Sequence, residues 1–278
     1  MAVRKFNYTF EDVNYYRFSV YRLGSNVQTV YAFVLDDLLI DTAQRFNREN
    51  ILKVAKEHEI SKIILTHHHE DHSGNVAFLM KELNVDTYAH PETVRILKKG
   101  FSVSVLGKLM NGDVEKAHLK PLLETDLIET KNYSLQPIFT PGHCNDHYCY
   151  YEKKHGYLFS GDLYVADKIK YFAPYESIFI QMDSLKKLLQ LDFDVLFCSH
   201  NPKTENGKKR LQNKLNFFEE FVGTVIKYRE QGHSSSEIFA KMGNKENMFY
   251  KVITFGNFTA ENMVKSVIKD LKKNKIAK

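Results

Sequence analysis

A chain of 278 residues, 43% of them hydrophobic and 13% aromatic, carries enough apolar material for a sizeable core, which excludes a disordered chain. The formal net charge of +5 permits an anionic substrate or nucleic acid and demands neither. Met1 to Asn7 has no secretory apolar stretch and no run is long enough for a bilayer. Cys144, Cys149 and Cys198 show no CxxC spacing, so the expected setting is the cytoplasm, with no membrane and no disulfide framework.

Tyr31-Ala32-Phe33-Val34-Leu35 and Leu38-Leu39-Ile40 read as strands around an Asp36-Asp37 turn, the second ending at Asp41. Helical spacing follows from about Asn47 to Glu59. Ile63-Ile64-Leu65 is a short buried strand ending at His67, with a helix from Asn75 to Leu83 behind it. Val85 to Ala89 is a further strand, and Pro91 opens a helix that Gly100 closes. Phe101 to Thr130 is less regular and reads as an insertion, either shaping a pocket or simply packing on the surface. Ile138-Phe139-Thr140 is a strand leading into Pro141-Gly142-His143. Tyr148 to Tyr151 and Tyr157 to Ser160 form a hairpin, and the second arm ends at Gly161-Asp162. A helix around Asp183 to Gln190 precedes Val195 to Ser199, which ends at His200. Lys208 to Glu230 reads as a long helix, Ser234-Ser235-Ser236-Glu237 as a capping box, and Thr259 as the cap of a last helix to about Lys272. Strands alternating with helices predict an α/β layered catalytic domain over 1–205 and a helical domain over 206–278.

The chemistry gathers where strands end. Thr66-His67-His68-His69-Glu70-Asp71-His72 packs imidazoles and carboxylates into one turn, and Asp41, His143, Asp162 and His200 each follow an apolar strand. In layered α/β folds such ends carry ligand-binding loops. Imidazole nitrogen with carboxylate oxygen suits divalent ions of borderline hardness, zinc above all, with iron or manganese as further candidates. His67 and His69, alternate residues of one loop, can converge on one ion, while Asp71 and His72 are offset toward a neighbouring position. His68 reads as packing away from the site, and Tyr164 as either strand packing or pocket lining. The lysine-rich end from Lys265 to Lys278 reads as a solvated helix face.

Asp41, Thr66-His67-x-His69-x-Asp71-His72, Thr140-Pro141-Gly142-His143, Ser160-Gly161-Asp162 and His200, in this order, resemble the metallo-β-lactamase-fold hydrolase superfamily. The resemblance spans Asp41 to His200 and implies an αββα sandwich with a helical C-terminal appendage and two divalent metal ions, zinc first. It assigns His67, His69 and His143 to one ion and Asp71, His72 and His200 to the other, with Asp162 bridging and Asp41 holding the geometry. A bridging hydroxide would attack a small ester, thioester or lactone, with Asp71 orienting it or moving its proton. His147, in Gly142-His143-x-x-Asp146-His147, is the expected proton donor to the leaving group or else a structural histidine. Ala43 stands where the family often has glycine. The glyoxalase II branch and an endoribonuclease branch also end in helical domains, so a phosphodiesterase or ribonuclease is the alternative, and a mononuclear iron persulfide dioxygenase a further one. The expected partner is a small-molecule substrate; nucleic acid is less favoured, and a homo-oligomer is compatible with the sequence.

Overall fold

The computed structural model describes residues 1–243 and 258–276 of the chain. Its strands order into two sheets. The first has seven strands: β1 (Ala2–Phe10), β2 (Val13–Arg22), β3 (Ser25–Leu35), β4 (Leu38–Ile40), β5 (Lys62–Ile64), β6 (Asp86–Ala89) and β7 (Lys120–Pro121), in that spatial order. β1 to β4 are antiparallel, joined by tight turns; β4 to β7 are parallel, joined by helical crossovers. The second sheet has the order β12-β11-β10-β9-β8, with β8 (Ile128–Glu129), β9 (Ser134–Phe139), β10 (Tyr148–Glu152), β11 (Tyr157–Gly161) and β12 (Val195–Cys198).

Period-2 alternation explains why the central strands read as unbroken apolar runs. In β3, Val30, Ala32 and Val34 face a core shared with Ile51, Val54 and Ala55 of α1 (Arg48–Glu57), Val76 and Leu79 of α3 (Val76–Leu83) and Leu97 of α4 (Pro91–Lys99). Phe33 and Leu35 face the other way, with Leu38, Ile40 and Ile64, onto Leu135, Tyr150, Phe159 and Phe197 of the second sheet. Both faces are buried, so neither can be polar. Aromatic rings fill the layer between the sheets: Phe33 meets Phe159 edge-on at 5.4 Å and Phe159 stacks on Phe197 at 4.9 Å.

The chain forms two compact units. The first comprises Met1–Phe139, Asn145–Asp162 and Asp192–Gly207, and holds both sheets. It also contains a one-turn helix, α2 (Glu70–Ser73), and α5 (Val105–Met110) in the segment read as an insertion. The long β1–β2–β3 hairpins carry little sequence signal ahead of Tyr31. β1 is exposed on alternate residues and mixes charge with aromatics, so its periodicity is weak.

The second unit comprises 140–144, 163–191 and 208–278. Its helices among the described residues are α6 (Ile178–Leu189), most of α7 (Gly207–Glu230), α8 (Ser235–Lys241) and α9 (Glu261–Ile276). The helix expected from Asp183 begins earlier, because Ser177 caps it by accepting from the Ile180 N–H. The Ser234 capping box forms as its spacing predicts. Asn262 N–H donates to Thr259 Oγ1, and α9 is pinned to the start of α6 where the Ser177 hydroxyl donates to Asp270 at 2.7 Å and the Ile178 N–H to Ser266 at 3.0 Å.

The chain thus has mixed α/β architecture with two stacked sheets and a helical C-terminal region. No helix among the described residues is long and apolar enough to cross a membrane.

Candidate metal centre

β4 delivers Asp41 and β5 delivers Thr66, and the parallel pairing of these strands brings their ends together. Asp41 is fully buried. Its carboxylate accepts from the Thr66 N–H, the Thr66 hydroxyl and His72 Nδ1, each at 2.8 Å. The Thr66 hydroxyl has one proton, and Asp41 takes it. His67 Nδ1, 3.0 Å from Thr66 Oγ1, must therefore be the donor in that contact. In the same way His72 donates its Nδ1–H to Asp41, and His200 donates its Nδ1–H to the Thr29 carbonyl at 2.6 Å. Three imidazoles are thereby fixed with Nε2 pointing into one place, the arrangement that outer hydrogen bonds impose on metal-binding histidines.

The remaining predicted residues of the first unit come to the same place. His67 Nε2 lies 2.9 Å from His69 Nδ1, and ligand atoms of His67, His69 and Asp162 lie within 4.8 Å of one another. Asp71, His72 and His200 form a second group under the same limit. Asp162 Oδ1 reaches this second group too, 3.4 Å from His72 Nε2 and 3.2 Å from His200 Nε2. Asp162 therefore stands between the groups.

The donor set fits a divalent cation. His72 Nε2 is buried and makes no hydrogen bond of normal geometry, yet it faces Asp162 Oδ1 at 3.4 Å and Asp71 Oδ1 at 3.7 Å. A cation among these lone pairs gives that nitrogen a partner, and no thiolate is required. The electrostatics agree. Burial lowers the pKa of His72, but Asp162, Asp71 and Asp41 outweigh it and push the value well up. His200 is raised to about 9 by Asp162 and Asp71 against burial. Burial pushes the Asp162 carboxyl up, and the His200 and His72 charges bring it far below the usual carboxylate range. His67 is driven down by burial and by its neighbours His72 and His69.

Two glycines make room. A Cβ on Gly161 would sit 2.5 Å from His147 Nε2, and its φ of +48° suits glycine. In the second unit, a Cβ on Gly142 would meet the Gln181 backbone N at 2.6 Å. His143, next in sequence, has Nδ1 3.2 Å from Glu176 Oε2; Glu176 is in turn held by Gln181 Nε2 at 2.8 Å and the Ala173 N–H at 2.9 Å.

His147 is placed otherwise than a proton donor requires. It is fully buried, and its Nε2 accepts the Asp162 N–H at 3.1 Å. That nitrogen holds the backbone of Asp162, which is the contact of the structural histidine, the second of its two readings. His68 turns aside, as expected, to Asp146, which takes its N–H at 3.0 Å and Nδ1 at 2.9 Å and also the Thr93 hydroxyl at 2.7 Å. Tyr164 is buried with its hydroxyl on Asp167, which leaves it no exposed pocket wall. Ala43, at the position noted for glycine, has φ of +58°.

Three polar supports were given no role by the sequence, although Asp146 stands in the Gly142-to-His147 motif. Gln28 donates from Nε2 to Asp71 Oδ2 at 2.6 Å, Asp146 anchors His68, and Glu176 holds His143. No spacing rule marks them, because each contact joins distant parts of the chain. In the insertion, Asn111 Nδ2 donates to Glu70 Oε1 at 3.3 Å, and Arg22 Nε donates to the Leu109 carbonyl at 2.7 Å.

The Metallo-beta-lactamase superfamily profile matches residues 28–200, so the chain belongs to that superfamily and is a hydrolase of it. A hydroxyacylglutathione hydrolase of Citrobacter koseri is 28% identical over 239 residues, covering 81% of this chain and 83% of the relative. An atrochrysone carboxyl ACP thioesterase of Aspergillus fumigatus is 25% identical over 182 residues, 64% of this chain and 51% of the relative. Among solved structures, a metallo-beta-lactamase family protein from Thermus thermophilus superposes with a TM-score of 0.59 at 20% identity, covering 80% of this chain and 81% of that one. That likeness concerns the fold.

Proposed function

We propose that the chain is a binuclear, zinc-dependent cytoplasmic hydrolase of a small thioester, ester or lactone. The observation that carries this reading is Asp162, whose carboxylate belongs to the His67–His69 group and also faces His72 and His200. One carboxylate shared by two nitrogen-rich groups suits two ions. We assign His67, His69 and, from its family motif, His143 to the first ion, and Asp71, His72 and His200 to the second, with Asp162 shared. The thioester emphasis draws on the relatives, one a hydroxyacylglutathione hydrolase and one a thioesterase. Three buried cysteines with no disulfide among them suit a reducing compartment.

Bound divalent ions supply an acidified water and polarise the substrate carbonyl. The chain's own residues arrange the rest. Asp41, Thr66 and the Thr29 carbonyl fix three imidazole tautomers in advance, so no reorganisation is needed during the reaction. Asp71 takes the proton that the attacking water releases. The water oxygen joins the acyl carbon, the carbon–sulfur or carbon–oxygen bond breaks, and the proton ends on the departing thiol or alcohol.

Metal analysis of the purified protein, coupled to a screen of thioesters, lactones, phosphodiesters and RNA, tests this. Two equivalents of zinc with thioester or ester turnover are expected. One equivalent of iron with oxygen consumption, or turnover confined to RNA, would overturn it.

A further inference from the structure

β3 pairs with β4 only over Phe33–Leu35, so the part of β3 before Phe33 runs past the end of β4, over the loops that carry the centre. Two successive residues of this overhang grip two members of the Asp71–His72–His200 group. Gln28 Nε2 donates to Asp71 Oδ2 at 2.6 Å, and the Thr29 carbonyl accepts from His200 Nδ1 at 2.6 Å. The Tyr31 N–H adds a bond to the Ser199 carbonyl at 2.7 Å, which ties the loop bearing His200 to the same strand.

The strand is shaped for this task. Val20 opposes Gln28, but Tyr21 opposes Asn26, so Val27 is an extra residue in a bulge directly beside Gln28. Bulges next to functional sites re-aim side chains. The Thr29 side chain is engaged elsewhere, with Ser19 at 3.0 Å and Asn26 at 2.8 Å, which holds its carbonyl in place for His200.

The choice of side chain matters as well. A carboxylate only accepts, so the contact turns the NH2 of Gln28 toward Asp71. A lysine or arginine there would neutralise the charge that attracts a cation, and a glutamate would oppose it. Glutamine donates and leaves the charge intact. It holds the carboxylate by Oδ2, which lies 3.5 Å from His200 Nε2, with Oδ1 3.7 Å from His72 Nε2.

We propose that Gln28 is a positioning residue that fixes the orientation of the Asp71 carboxylate toward a divalent cation and so sets the affinity of the Asp71–His72–His200 position. This rests on the ligand set of the proposed function. Gln28→Met keeps the bulk and removes the donor. Zinc affinity by chelator competition, and the visible spectrum of cobalt-loaded protein, are read for wild type, Q28M and D71A. Q28M is expected to weaken the ion that D71A loses by about 10- to 100-fold, the usual scale for an outer hydrogen bond, and to alter its cobalt bands. The other ion should shift less than about threefold and the melting temperature of chelator-treated Q28M should match wild type. If D71A loses an ion while Q28M keeps both at wild-type affinity and spectrum, the role of Gln28 is overturned and the ligand set stands. If D71A binds two ions as wild type does, the ligand set fails and this inference with it. Should Q28M melt early, Gln28→Leu, which also lacks a donor and adds no charge, must still weaken the ion that D71A loses; wild-type affinity there overturns the proposal.

Discussion

His72 and His143 each rest Nδ1 against a carboxylate, yet the two supports are built differently. Asp41 terminates β4, its own N–H donates to the Ile64 carbonyl, and all its acceptor contacts come from the end of β5 and from His72. Glu176 lies outside any helix or strand, just before the cap of α6, and gathers Gln181, the Ala173 N–H and His143. A support built into two buried strand ends opens only when the sheet opens, whereas one in an irregular segment can loosen locally. Equal hydrogen-bond inventories need not give equal rigidity.

The largest effect should come from Asp41→Ala. It leaves the His72 Nδ1–H and the Thr66 donors buried without an acceptor, so a loss of about 3–5 kcal/mol is expected in chemical denaturation. Metal uptake by that half should fail with it. Glu176→Ala should cost less, about 1–3 kcal/mol, with roughly tenfold weaker metal binding. Equal costs for the two substitutions would erase the distinction between the supports.

A pH series probes the His72 side of the contrast. His72 and His200 are raised by their carboxylate neighbours, His200 to about 9, so below that value a proton competes with the cation for Nε2. Affinity should therefore climb from neutral pH toward 9, with proton release on binding visible in a weakly buffered titration. A flat profile over that range would contradict the assigned Nε2 ligands. The smallest effect is expected for Ala43→Gly. Relief of a left-handed φ is offset by the lost methyl and by glycine's added freedom, so stability should move by no more than about 1 kcal/mol, with metal affinity unchanged. A larger change would show that strain at residue 43 reaches Asp41.

The candidate ligands of the first unit were legible because costly side chains sit at or soon after the ends of buried strands, and such placements have few other uses. Their order along the chain supplied the fold. The supports were less legible for a physical reason. Gln28, Asp146 and Glu176 reach the candidate ligands through long-range contacts, and a polar residue in a strand or loop has no period to betray its partner. His147 kept two readings for the same reason: its place in the motif was plain, but the partner of its Nε2, a backbone N–H fifteen residues on, was not. β1 and β2 were missed because a half-exposed antiparallel pair interleaves charge with aromatics, and short windows read that as noise. The apolar start of α6, Ile178-Phe179-Ile180, suits strand or helix alike until Ser177 is seen to cap it.

The overhang of β3 also limits how this centre can change by insertion or deletion. Side chains on a strand count in twos, so adding or removing one residue between Gln28 and Phe33 would turn a neighbour's side chain toward Asp71 and swing the glutamine to the opposite face. A change of two preserves parity and alters only reach. Length variation between Gln28 and Phe33 should therefore be tolerated in even steps and disruptive in odd ones, unless a bulge such as the one at Val27 takes up the odd residue.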